Sequence, residues 1–150
     1  AKDWKSLCRQ FKPVSKHIKV FFMINSLWNI STSIKNSQIC QTLYIRQPKT
    51  KLTIIFLNIL WDSGFILGYK IDNLDSNILK IFLKYRNGDP VINSVKFIFK
   101  PSRHIYYSAS QLWNFDSKKS LIILTTSKGL MTAQECKKTQ TGGQPLFLIR

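Results

Sequence analysis

Thr125-Thr126-Ser127-Lys128-Gly129 is the stretch of this chain best equipped for molecular recognition, with three hydroxyls, a cation and a glycine in immediate succession. Hydroxyls and free amides on such a segment hydrogen-bond to phosphate, sugar or base edges, Lys128 adds a point charge, and Gly129 lets another backbone approach closely. The same residue types also populate ordinary solvated turns, because their side chains bond to nearby backbone. Bond-making chemistry has no comparable set. His104, beside Arg103, and His17 lack a carboxylate, cysteine or serine pattern to work with. Neither GxGxxG, P-loop nor HExxH occurs. Cys8, Cys40 and Cys136 are odd in number, widely separated and without a CxxC, which favours free thiols over a disulfide framework or a zinc site. No enzymatic activity, cofactor, metal or small-molecule substrate is therefore expected.

The recognition stretch must be held by something, and the pattern of apolar residues supplies the elements. Ile24, Leu27, Trp28 and Ile34 recur at helical spacing, predicting a helix over 24–34. Thr42–Arg46 reads as a short strand closed by Pro48. Thr50 is placed to cap a second helix whose stripe is Leu52, Ile55, Phe56, Ile59 and Leu60, and Gly64 is placed to end it. Phe65–Ile71 and Ile78–Tyr85 read as strands joined across the polar stretch 73–77. Asn87-Gly88-Asp89-Pro90 is a strong break. Beyond it, apolar runs at Val95–Phe99, Ile105–Tyr107, Leu121–Leu124 and Pro145–Ile149 predict strands. Phe97, Phe99, Tyr106 and Tyr107 are expected to face a core rather than to stack on unpaired bases. Thr132-Ala133-Gln134-Glu135 forms a capping box, so a short helix starts there and stops before Gly142-Gly143. The recognition stretch is thus expected on an exposed connection between a strand and this helix.

Charge defines the partner. Lys and Arg number 23 against 7 acidic residues, for a net charge of +16, a surface that attracts polyanions. Residues 1–23, 24–95 and 96–150 carry net charges of +5, +4 and +7, so no one polybasic run accounts for the total. A membrane-surface helix would gather its cations on one amphipathic face, yet the helix from Thr50 to Trp61 has Lys51 as its single cation. The most apolar stretch, Leu52–Trp61, is about half the length a membrane-spanning helix needs. No membrane partner is expected. The basic, acid-poor segment 1–23 reads either as an extension lying on RNA or as a targeting peptide.

The run Leu124-Thr125-Thr126-Ser127-Lys128-Gly129-Leu130-Met131-Thr132 resembles the "STSKGVMT" signature of the family of small-subunit ribosomal protein eight. Lys100-Pro101 resembles that family's "SKPG" turn, Leu83-Lys84-Tyr85 its "LKY" strand, and Gly64-Phe65-Ile66 its "GYI" after the second helix. The likeness covers roughly residues 24–150. It implies an α+β fold of two lobes: an N-terminal α-β-α-β-β unit over 24–94 and a strand-rich C-terminal RNA-binding lobe over 95–150 with one short helix, both preceded by the extension 1–23. It implies a structural constituent of the small ribosomal subunit that binds the central domain of small-subunit rRNA, stabilises its fold during assembly and translation, and touches neighbouring ribosomal proteins. Carried onto this chain, RNA contact falls on Thr125, Thr126, Ser127, Lys128 and Gly129, with Gly142 and Gly143 shaping the turn beside them and Lys100 and Arg103 adding charge.

This chain departs from the family pattern at Thr125, Ser102 and Gln144, where the family has Ser, Gly and Glu. The extra N-terminal segment suggests an organellar version. Lys outnumbers Arg 18 to 5 and Ala occurs three times, a bias that suits an AT-rich gene and, with the extension, points to a mitochondrial ribosome ahead of a plastid or bacterial one. A basic RNA-binding protein acting outside the ribosome is the alternative.

Overall fold

The computed structural model describes residues 16–73, 75–99, 105–114 and 120–150, with side chains placed from residue 25 onward. Helix α1 spans Lys16–Ile39, longer at both ends than its apolar spacing predicts. Leu27, Ile30, Ser31, Ile34 and Gln38 form its buried face, and the Ser31 hydroxyl is satisfied by donating to the Leu27 carbonyl at 2.8 Å. The helix closes where Gln41 takes a φ of 55°. There the Thr42 N–H reaches the Ser37 carbonyl and the Gln41 N–H reaches that of Gln38, the paired bonds of a left-handed helix terminus.

Strand β1 (Tyr44–Pro48) leads into α2 (Lys51–Asp62). Thr50 caps α2 as predicted, its hydroxyl accepting from the Thr53 N–H at 3.1 Å. Gly64, at φ 75°, ends it with the same pair of bonds seen after α1, Phe65 N–H to the Leu60 carbonyl and Gly64 N–H to that of Trp61. The buried face of α2 is Thr53, Phe56, Leu57, Ile59 and Leu60, whereas Ile55 is 41% exposed. The stripe is therefore rotated from the predicted one: Thr53, Phe56, Leu57 and Leu60 lie at i, i+3, i+4 and i+7.

Strands β2 (Ile66–Ile71) and β3 (Ile78–Leu83) form the expected hairpin, and β1 adds on the other side to give an antiparallel sheet of order β1-β3-β2. Its inner face, Ile45, Ile66, Leu79, Ile81 and Leu83, is buried against the helices. Lys84 donates to the Gly64 carbonyl at 3.0 Å, placing a cation at the C-terminal end of α2 where the helix dipole favours it. The predicted break at Asn87-Gly88 is a tight hairpin between β4 (Tyr85–Arg86) and β5 (Asp89–Pro90). Asn87 and Gly88 both have positive φ, as the turn that matches strand twist demands.

The C-terminal half is an antiparallel sheet of order β6-β9-β7-β8, formed by Val95–Phe97, Gln144–Ile149, Leu121–Thr126 and Gly129–Thr132. The run at 105–107 makes a single bridge, Tyr107 with Gly143, instead of a full strand. Two short helices follow the capping-box logic: α3 (Ala109–Leu112), capped by Ser108 and Gln111, and α4 (Ala133–Lys138), capped by Thr132 and Glu135. Only α4 was expected from sequence.

Both faces of this sheet are covered. Ile123, Phe147 and Ile149 join the core built on α1, α2 and the first sheet, while Ile122 and Leu124 pack with Leu112, Ala133 and Cys136 beneath α3 and α4. That explains why β7 and β9 are continuous apolar runs instead of alternating ones. Phe147 lies 5.4 Å from Phe56 and 5.1 Å from Phe97 between ring centroids, so the two halves share one core. Of the four aromatics expected inside, Phe99 is buried, Phe97 and Tyr107 pack against the two cores, and Tyr106 is exposed.

Replacing Phe147 with Ala should cost about 3 to 5 kcal/mol, the usual range for a buried phenylalanine. Because the ring joins both halves, urea unfolding should remain one transition at lower midpoint by both far-UV and near-UV signals; two separated transitions would show that the halves unfold independently.

Candidate nucleic-acid interface

Strand β8 places the recognition stretch differently from the sequence expectation. Thr125 and Thr126 are partly buried strand residues of β7, Gly129 opens β8, and Ser127-Lys128 form a two-residue turn between them. The segment is thus the tip of a hairpin, not a free connection from strand to helix. A four-residue strand directly abutting a capped helix leaves little periodicity to detect.

Thr126 builds this tip. Its hydroxyl donates to the Gly129 carbonyl at 3.0 Å and accepts from the Lys128 N–H at 3.1 Å. That hydroxyl is engaged in shaping the turn, as Ser and Thr side chains do in local loops. Gly129 has a φ of 116°, a left-handed conformation open to glycine at little cost. Ser127 and Lys128 are left exposed.

Gly142 and Gly143 pack where a side chain would not fit. A Cβ on Gly143 would lie 2.7 Å from the Thr125 carbonyl oxygen and 2.9 Å from the Thr126 methyl. One on Gly142 would lie 2.6 Å from the Tyr107 carbonyl oxygen and 2.7 Å from the Tyr106 hydroxyl. Tyr107 and Gly143 exchange both backbone bonds at 3.0 Å, and Thr125 stands opposite Gln144 in the β7–β9 ladder. Residues 106–107, 125–129 and 142–144 therefore converge at one end of the sheet. Thr125, Thr126, Ser127, Lys128, Gly129, Gly142 and Gly143 come together; Lys100 and Arg103 lie outside the described residues, as does His104.

Two exposed aromatics join this half of the molecule. Tyr106 is 67% exposed beside Gly142, and Trp113 is 66% exposed at the end of α3. The Lys137 ammonium lies 5.6 Å from the Trp113 ring centre, a cation–π distance. The signal for α3 is in the sequence, since Ser108 and Gln111 have capping-box spacing. Under α4, burial pushes the Cys136 thiol pKa up, with a hydrogen bond to Thr141 opposing and Glu135 adding to the rise. Cys40 is exposed, and both are free thiols; Cys8 lies outside the described residues. Among the described residues, no cluster of histidine, cysteine and carboxylate side chains could hold a metal ion, and no helix is long and apolar enough to cross a membrane.

These features define a basic α+β protein that presents a small polar hairpin tip on a fixed glycine-packed base. The family model for ribosomal protein S8 matches residues 25–149, and the chain belongs to that family, whose members are structural and non-enzymatic. It is 32% identical to small ribosomal subunit protein uS8 of Hahella chejuensis over 127 residues, covering 85% of this chain and 98% of that one. Identity to the protein of the same name from Baumannia cicadellinicola is 34% over 124 residues, covering 81% and 94%. The protein of that name from Shewanella denitrificans is 30% identical over 127 residues, covering 85% and 98%.

The close packing at Gly143 predicts that Gly143→Ala destabilises the chain by about 1 to 3 kcal/mol, the usual effect of overpacking. Gly68 has nothing within 4 Å of a Cβ position, so Gly68→Ala serves as the control and should leave the urea midpoint nearly unchanged. Equal midpoints for both variants would refute the close-approach account.

The buried thiol makes a second prediction. Alkylation mapped by peptide mass at mildly alkaline pH should modify Cys40 and spare Cys136 until the chain is unfolded. The raised folded-state pKa adds stability that is present while the thiol is protonated and is lost as pH rises from the ordinary thiol range through the raised value. Cys136→Ala should therefore flatten the stability decline on that alkaline side.

Proposed function

We propose that this chain is a structural constituent of the small ribosomal subunit that grips the central domain of small-subunit rRNA with its C-terminal part, residues 95–150. The observation that carries this reading is the exposed Ser127-Lys128 tip, held by Thr126 and by Gly129 beside the Gly142-Gly143 seat. Double-helical RNA offers proteins a shallow minor groove, 2′-hydroxyls and phosphates. Small donors fixed on a rigid turn suit that surface, because little conformational freedom remains to be lost on binding.

Within this reading the Ser127 hydroxyl makes site-specific bonds, and Lys128 supplies charge. Thr125, Thr126, Gly129, Gly142 and Gly143 set the shape, and Lys100 and Arg103 extend the basic surface. Residues 24–94 form the N-terminal lobe, and the basic segment 1–23, which enters helix α1 at Lys16, is an added extension; the chain also touches neighbouring ribosomal proteins. That extension, together with the Lys-rich, Ala-poor composition, favours a mitochondrial small subunit, where the protein holds rRNA during assembly and translation.

The test separates site reading from charge attraction. Ser127→Ala leaves the charge untouched, so it should weaken binding to the cognate rRNA helix by about 1 to 3 kcal/mol where the hydroxyl is buried against RNA, while barely altering binding to a random duplex. Lys128→Ala should weaken both and lower the salt slope by about 1. Equal affinity of wild type and Ser127→Ala for the cognate helix would sink this assignment.

A further inference from the structure

The outer face of the β1-β3-β2 sheet sets aromatic and cationic side chains in two adjacent rows. Tyr44 stands opposite Phe82, and Phe82 stands opposite Gly68, so two aromatic rings share one row with a position that has no side chain. Nothing lies within 4 Å of a Cβ position on Gly68, so no side chain stands directly across from the half-buried Phe82 on β2. The next outward row is Arg46, Lys80 and Lys70, again directly opposite one another. Arg46 is paired with Asp72 at 3.0 Å. The two lysines turn to the rings instead: Lys80 lies 3.7 Å from the centre of Tyr44 and 5.8 Å from that of Phe82, and Lys70 lies 5.7 Å from that of Phe82.

Like charges placed directly across a strand pair cost stability. With Arg46 neutralised by Asp72, Lys80 and Lys70 remain directly opposite one another, an arrangement that an added anion would relieve. The adjacent aromatic row supplies what a plain anion would not use: flat apolar surface on an open sheet, the means by which single-stranded nucleic acid is held through base stacking. A protein partner with an apolar face would have to strip water from both ammonium groups without replacing it. A duplex would offer phosphates but hide its base faces. An unpaired strand offers both phosphates and rings.

We propose that this sheet face binds a single-stranded RNA segment, with bases stacking on Tyr44 and Phe82 and phosphates meeting Lys70 and Lys80. Exposed cation–π contacts are weak, so the Lys80 ammonium can leave Tyr44 for a phosphate as a base takes its place. This surface is independent of the Ser127-Lys128 tip, and either can fail without the other.

The experiment uses the full chain and a fluorescently labelled single-stranded RNA of about ten nucleotides, within the span a single such surface covers, compared with the same strand annealed into a duplex. The charge-neutral variant Tyr44→Thr/Phe82→Thr, which keeps β-branched residues in the strands, should weaken single-strand binding roughly tenfold or more and leave duplex binding unchanged. Ser127→Ala should leave single-strand binding unchanged. A folded double variant that binds the strand as wild type does would overturn the proposal. Should the double variant fail to fold, ultraviolet crosslinking of a thiouridine-substituted strand to the wild-type chain decides. Adducts on the peptides bearing Tyr44 or Phe82 support the proposal, and adducts confined to other peptides defeat it.

Discussion

Phe147 sets the constraint on which the rest of the molecule depends. Its ring, fully buried, meets Phe56 from the second helix and Phe97 from the neighbouring strand, and Phe97 in turn meets Trp28 of the first helix. One side chain of the last strand is therefore in a cluster with every major element of the N-terminal half except its sheet, and that sheet joins the same core through Leu79, Ile81 and Leu83. Aromatic pairs at these separations contribute beyond the area they bury. Because the last strand is fixed from this face, its other face and its first residues are fixed as well. Leu148 packs under the short helices, and Gly142-Gly143 are drawn against Thr125 and Tyr107.

The Ser127-Lys128 hairpin tip inherits that rigidity. A hairpin edge strand held only by its own ladder would have a mobile end, and donors on it would lose freedom whenever they bound. Here the ladder between the seventh and eighth strands continues into the ninth through Thr125 opposite Gln144. Any side chain at residue 143 would push the two apart. The glycines thus act through packing, not through a need for unusual backbone angles, since neither has positive φ. Gly129 is the opposite case: space around it is open, and its backbone conformation is what calls for glycine.

What was legible in the sequence was local backbone chemistry. Thr50, Gly64, Thr132 and Glu135 could be assigned because caps and helix ends depend on a few neighbouring residues. The β2–β3 hairpin was legible for the same reason. The buried face of the second helix was not: apolar residues fill 54–57 and 59–61, so several stripes fit and only the tertiary core selects Leu57 over Ile55. The end of the first helix was hidden because Gln41, a residue that does not advertise a left-handed turn, takes that role. In the region 125–132, residue types suggested an exposed connection, but the strand from Gly129 to Thr132 is visible only in its pairing with the seventh. The structure adds that Thr126 shapes the turn, a role its residue type alone did not reveal. The convergence of Tyr106 with Gly142 was likewise not readable, because it joins positions far apart in the chain through a single bridge.

Charge completes the account. A net charge of +16 on a chain of this size opposes compactness through self-repulsion, and surface ion pairs such as Arg46 with Asp72 return little. The interior must therefore carry the stability by itself, which fits a core that runs unbroken from the first helix to the last strand and a C-terminal sheet covered on both faces. The same repulsion turns a polyanion into a stabilising partner, because any anion that binds the folded chain more tightly than the unfolded one shifts the equilibrium toward folding. A basic protein built this way does not need to neutralise its own surface. Its apolar core holds the cations in register, and the partner's phosphates supply the counter-charge.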